Sequence, residues 1–354
     1  MKKIFLALAA VAALAACSKS EAQYDDIKNE ISIAPVAQNI TKAMVNTTTF
    51  PTDESFNVWA WYKQLPNGTE VADWQDDQTD NQWYIKEKTF SKKGNSWAGN
   101  PNAYYWPKIG SLLFAGYYPT SISNKVSYDF ENNIDEKIGA NRMVFAGIEQ
   151  SVVDNLSSLH KEDIMYFNMT GVSSVAGPVA VVFRHALSWI TVNVRKSTEN
   201  PKIVIDEIKF TQVDNKGTGT VNNSADDNEI KWVTENNNAE TIFGTDVNLQ
   251  VNPTKLIEPL FIPQEVTGNI VIKYTIYSSE KEYFTETYTA KLYDFKEDGK
   301  DVKVNTWAPA KHYTYNIEIG TSEIFIQPTV QNWSEVIVPV DELKNTVNNN
   351  SGSN

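Results

Sequence analysis

Three histidines, His160, His185 and His312, lie far apart in the chain, and none belongs to an H-E-x-x-H zinc pair or accompanies a G-x-S-x-G nucleophile elbow. No glycine-rich phosphate loop is present either. Adjacent carboxylates recur, as at Asp76-Asp77 and Asp226-Asp227, but in turn-like polar company, where solvated charge explains them better than acid–base work. The segment DWQDDQTD, Asp73 to Asp80, has oxygen donors enough for calcium yet lacks the glycine and terminal glutamate of an EF-hand loop. The expectation is a protein with no catalytic residues, no metal and no cofactor, and therefore not an enzyme. His185 falls on the apolar face of a strand pattern, so a buried ring bonded to a backbone carbonyl is expected of it.

Two other residues carry chemistry of a different kind. Met1-Lys2-Lys3 followed by an apolar run from Ile4 to Ala16 has the form of an export signal, too short to span a bilayer. It ends in LAAC, which resembles the lipobox of bacterial lipoproteins and makes Cys17 the expected lipidation site. Cys17 is also the chain's single cysteine, so an exported protein must be held together by packing rather than disulfides. Lys42, in NITKAMVN, is the one basic residue between Lys28 and Lys63. It reads either as a solubilising linker residue or as the mark of a proteolytic cut before Ala43.

These residues need a scaffold, and the hydrophobic pattern supplies one of period two: Phe56, Val58, Ala60 and Tyr62 alternate, as do residues in NQWYIKEKTF, NIVIKYTIY and HYTYNIEIG. The class is all-β. The best helical window, NLSSLHKEDIMYF, is short. Roughly 340 mature residues exceed what one core organises, so two β-sandwiches in tandem are expected, with the linker in MTGVSSVAGP. In VAVVFRHALSWITVNV the apolar phase flips at Trp189-Ile190, which predicts a bulge or a strand serving two packed layers. The formal charge is −13, and −15 once Lys2 and Lys3 leave with the signal, which excludes nucleic acid and anionic lipid surfaces as partners. Of the ten tryptophans, Trp59 and Trp61 fit a central strand, whereas Trp74 and Trp97, in polar surroundings, are the candidates for an exposed sugar-binding platform.

Several segments in order, ACSKSE, TKA at 41–43, FNVWAWY, YYWP, LLFAGYYP, FRHALSWITVNV, LFIPQEVTGNIVIKY, WAPAKHYTYNIEIG and VQNW, resemble the fimbrillins of the Bacteroidetes, the type V pilin superfamily. The resemblance implies two tandem transthyretin-like β-sandwiches in a lipoprotein precursor that assembles on the cell surface after a trypsin-like protease removes an amino-terminal strand. The implied plan is a signal peptide at 1–16, a segment with a removable strand at 17–42, sandwiches at 43–172 and 173–344, and a polar tail at 345–354. Cutting between Lys42 and Ala43 would release a strand bearing Ile31 and Ile33. A donor strand would come from the carboxyl end, where Ile324 and Ile326, or Val336, Val338 and Val340, alternate. Partners would be other fimbrial subunits, in a homo- or hetero-polymer supporting adhesion, with the lipid holding the precursor to the outer membrane. The alternative is a surface-anchored carbohydrate-binding lipoprotein of a glycan-uptake system that uses Trp74 and Trp97.

Overall fold

The computed structural model describes residues 29–37, 50, 53–63, 82–107, 110–130, 141–149, 163–173, 177–222, 229–235, 241–278, 281–293, 295–297, 300–302, 304–320 and 324–332. The first strands are β1 (Ser32–Ala37), β2 (Phe56–Lys63), β3 (Gln82–Lys93), β4 (Ser96–Gly99) and β5 (Ser111–Tyr118). A short 3-10 turn, Thr120–Lys125, leads to β6 (Val126–Phe130) and β7 (Asn141–Glu149). There follow β8 (Met165–Ser173), β9 (Val179–His185), β10 (Ser188–Lys196), β11 (Lys202–Thr211), β12 (Lys216–Asn222) and β13 (Ile230–Thr234). Next come β14 (Thr241–Asn248), β15 (Thr254–Ile257), β16 (Leu260–Phe261), β17 (Gln264–Glu265), β18 (Asn269–Ser278) and β19 (Lys281–Lys291). The last described strands are β20 (Phe295–Glu297), β21 (Lys300–Val302), β22 (Thr306–Trp307), β23 (Lys311–Ile319) and β24 (Ile324–Asn332).

The all-β, two-body expectation holds, and the bodies differ in construction. In the first, seven strands close a barrel in the order β1-β4-β3-β2-β5-β8-β9. Phe56, Val58 and Ala60 point into its core, while Trp59 and Trp61 on the other face of β2 pack outward beneath a second sheet, β13-β12-β7-β6. Both faces of β2 are therefore buried, as its two-sided apolar sequence requires. The second body is a sandwich of β15-β10-β23-β24 on β14-β11-β18-β19, around Ile190, Val192, Ile205, Phe210, Tyr315 and their neighbours. Within the barrel Gly116 allows β5 to lie against β8: a Cβ there would stand 2.3 Å from the Phe167 ring and 2.7 Å from the Asn57 carbonyl oxygen.

The boundary between residues 172 and 173 requires correction. MTGVSSVAGP does not join the bodies: its first five residues end β8, and β8 and the following strand β9 pair within the barrel. The crossing comes later, after His185, where β9 ends in the barrel and β10 starts in the second body. This accounts for the phase flip, since Trp189 packs with the first body and Ile190 with the second. A second departure is the hairpin β12–β13, which leaves the second body after β11 and pairs β12 with β7. It gives Val221 and Ile230 to the layer that also holds Leu260 and Ile262. The window NLSSLHKEDIMYF ends as strand, Met165–Phe167 lying in β8.

Candidate functional site

The feature most open to function is β1, the strand that closes the barrel. It runs parallel to β9, from Ile33 opposite Val179 to Ala37 opposite Phe183, and antiparallel to β4, with Ser32 opposite Ala98 and Ile33 opposite Trp97. Just ahead of it, the Ile31 N–H donates to the Tyr104 carbonyl at 2.7 Å and the Trp106 N–H to the Asn29 carbonyl at 2.9 Å. Alternation turns Ile31, Ile33 and Pro35 inward, and both isoleucines are 0% exposed. Their cluster includes Phe50, Phe56, Phe90, Trp97 and Phe183, and Phe50 stacks on Phe183 with ring centres 5.0 Å apart. At the strand's start the Lys93 ammonium meets both Glu30 carboxylate oxygens, at 2.7 and 2.8 Å. Each buried isoleucine contributes roughly 2 kcal/mol of burial. A barrel emptied of β1 would present an apolar slot walled by the ladder groups of β4 and β9, a template for another strand.

Of the residues expected to matter, Ile31 and Ile33 come together in this slot. So does Trp97, but not as a platform: at 3% exposure it is a core residue, which corrects that expectation. Lys93 and Gly94, with φ +63°, turn the chain so that SWAG forms β4, and Trp97 then lies beside Ile33 with its indole N–H donating to the Glu54 carbonyl at 3.0 Å. Polar sequence around a tryptophan marked a hairpin turn here rather than exposure. Ile324 and Ile326 lie in β24, at the edge of the second body, opposite Ile319 and Ile317 of β23. Cys17, Lys42, Ala43, Trp74, the DWQDDQTD segment, Val336, Val338, Val340 and the 345–354 tail lie outside the described residues. What sequence reading missed is the other wall of the slot: β9, with Val179, Val181 and Phe183 buried, had been assigned to the second body.

The buried polar groups do structural work. The His185 ring lies with Nδ1 2.8 Å from an Asp163 carboxylate oxygen, across the Met165–His185 end of the β8–β9 pair. Under the second sheet, the Asn57 amide donates to the Tyr117 hydroxyl at 2.7 Å, which donates to Glu87 at 2.6 Å. Burial, then the hydrogen bond to Glu87, pushes the Tyr117 hydroxyl far above the ordinary phenol range. In the second body the His312 ring stacks on Trp189 at 3.6 Å, and its Nε2 is 2.9 Å from the Thr191 hydroxyl. Thr191 in turn donates to Glu258 at 3.3 Å, and Glu258 holds Lys255 at 2.7 Å. Among the described residues no three His, Cys, Asp or Glu side chains approach as a metal site needs.

His312 makes a pH dependence. Burial, then the nearby Lys255 charge, lowers its pKa from 6.5 to about 4. Between those values the unfolded chain binds more protons than the folded one. Stability present above pH 6.5 therefore falls as pH drops toward 4, by about 3 kcal/mol from this ring. Urea denaturation at pH 7 and pH 4.5 should show the parent losing about 2 kcal/mol more than a His312→Gln variant.

The chain matches a family model described as fimbrillin-like over residues 41–333. Its fold is similar to that of a fimbrial protein from Bacteroides vulgatus ATCC 8482, 16% identical, covering 86% of this chain and all of that one, with a TM-score of 0.58. It is also similar to a candidate cell adhesion protein from Bacteroides ovatus ATCC 8483, 14% identical, covering 88% of this chain and 99% of that one, with a TM-score of 0.51. No curated protein matches. With the match running from beyond β1 through the last described strand, the chain belongs to the fimbrillin-like family.

Proposed function

We infer that the chain is a structural subunit of cell-surface fimbriae, assembled by strand exchange and supporting adhesion. The observation that supports this reading is β1: a short strand that, with the residue just ahead of it, puts two fully buried isoleucines, Ile31 and Ile33, into the barrel, and that is followed in the chain by the segment that contains Lys42. In this reading Cys17 carries a lipid that holds the precursor to the outer membrane. A trypsin-like protease then cuts between Lys42 and Ala43, and the β1 segment leaves when a strand from a neighbouring subunit takes its place. The donor comes from the carboxyl-terminal end, from the Ile324 and Ile326 strand or from Val336, Val338 and Val340. The partners are other fimbrial subunits.

The test is assembly under protease. Purified parent chain treated with a trypsin-like protease should give a ladder of oligomers on incompletely denatured gels, and a Lys42→Gln variant should remain monomeric. Polymerisation of that variant at the parent's rate would overturn the reading, because assembly would not then need this bond to break.

A further inference from the structure

Phe50 stands outside the strands, yet its side chain is buried in the core of the barrel, 4% exposed. Its ring meets four others: Phe56 of β2 at 5.3 Å, Trp97 of β4 at 5.7 Å, Tyr118 of β5 at 5.3 Å and Phe183 of β9 at 5.0 Å. Two of these strands, β4 and β9, are the neighbours between which β1 lies. Phe50 therefore bridges the two walls of the slot from inside, and it does so without belonging to β1. We propose that Phe50 is a positioning residue, a spacer that holds β4 and β9 apart once β1 has gone and so keeps the slot open to an incoming strand. This rests on the strand-exchange reading above and adds to it the device that keeps the emptied slot receptive.

An emptied slot has a ready way to be lost. β1 is antiparallel to β4 and parallel to β9, so β4 and β9 run antiparallel to each other, the relation in which two strands can pair directly. Their freed N–H and C=O groups favour that closure. Closure would bring strands that stand two spacings apart, roughly 10 Å, to one spacing of about 4.8 Å, and would leave no place for a guest. An aromatic ring standing between Trp97 and Phe183 obstructs it. The chain that follows Phe50 is fixed independently of β1: the Glu54 carbonyl accepts the Trp97 indole N–H at 3.0 Å, and the Ser55 hydroxyl shares a hydrogen bond with that of Ser91 in β3 at 2.9 Å. Phe56 reaches the same two rings, at 6.4 and 5.2 Å, but as a member of β2 paired into the barrel's own ladder. Phe50 also lies beyond Lys42 in the chain, so a cut before Ala43 takes β1 away and leaves the spacer behind.

The test separates capture of a strand from its retention. Full-length chain is cut with the trypsin-like protease and incubated with excess fluorescent synthetic peptide of residues 29–37, the stretch that fills the slot in the structure. Dissociation is followed by a chase with unlabelled peptide, and affinity by fluorescence anisotropy on serial dilution. A slot open only a tenth of the time binds about tenfold more weakly. Phe50→Ala should therefore lower the affinity about tenfold with the dissociation rate unchanged, so that the whole loss lies in capture. Phe50→Leu, apolar but of shorter span, should lower it about threefold in the same way, and decides the matter if the alanine variant does not fold. Faster dissociation with capture unchanged would overturn the proposal, because Phe50 would then be an ordinary wall that grips the strand. Unchanged affinity in both variants would overturn it as well. A cut parent chain that takes up no peptide would overturn the strand-exchange reading itself, and the proposal with it.

Discussion

Replacing Ile33 by aspartate leaves the first barrel unclosed and costs about 5 kcal/mol or more, the largest effect expected of any single change in β1. Ile33 has no solvent exposure and stands between Val179 on one side and Trp97 on the other. A carboxylate there would lose its hydration among aromatic and aliphatic side chains without gaining a cation. It would stay in water only by keeping β1 out of the barrel. Urea denaturation should show the first body destabilised, with the second body's core, which shares no residue with this cluster, still melting near its parent position. A Ser32→Asp variant is the control. Ser32 alternates to the other face, half-buried, and its replacement should cost less than about 1 kcal/mol. Equal losses from both changes would mean that β1 is not held by its inward face.

Such a result would rest on information that was legible in the sequence, because alternation reports which face of a strand is buried. Phe56, Val58 and Ala60 facing one way and Trp59 and Trp61 the other identified β2 as central, and the structure places these two faces in different cores. Ile31 and Ile33 were legible for the same reason. Alternation is silent about which sheet a buried face meets. The run from Val179 to Val194 looked like one strand of one domain, yet β9 closes the barrel and β10 builds the second body. The flip at Trp189-Ile190 recorded the change of layer without saying that two bodies were being joined. Trp97 was misplaced because loop-like neighbours describe the turn beside it and say nothing of the core its ring enters. Asp163 had no local signal as the partner of His185, since the strands that join them are aligned only by register. The fimbrillin-like family to which the chain belongs is a family of fimbrial structural proteins and not of enzymes.

The hairpin β12–β13 is where this non-local organisation can be tested with the next largest effect. Val221 and Ile230 leave the chain's second body to pack under the first body's outer sheet, in one layer with Trp59, Trp61, Phe145 and Trp189. The hairpin is also hydrogen-bonded into place: the Ile230 N–H donates to the Tyr166 hydroxyl at 2.9 Å, and the Trp232 indole N–H donates to the Ala186 carbonyl at 2.8 Å. A Val221→Asp variant would bury an uncompensated charge in that layer, at about 4 kcal/mol. Because residues from both sides of the β9–β10 crossing share this layer, the loss should fall on the coupling between bodies as well as on the sheet. The parent is expected to unfold in one calorimetric transition, which this variant should split into two, the earlier belonging to the first body. Val233, on the same hairpin but 73% exposed, should change the transition by less than about 0.5 kcal/mol when replaced by aspartate. If Val221→Asp only lowers a transition that remains single, the two bodies are coupled chiefly through the β9–β10 crossing, and the hairpin serves the first body alone.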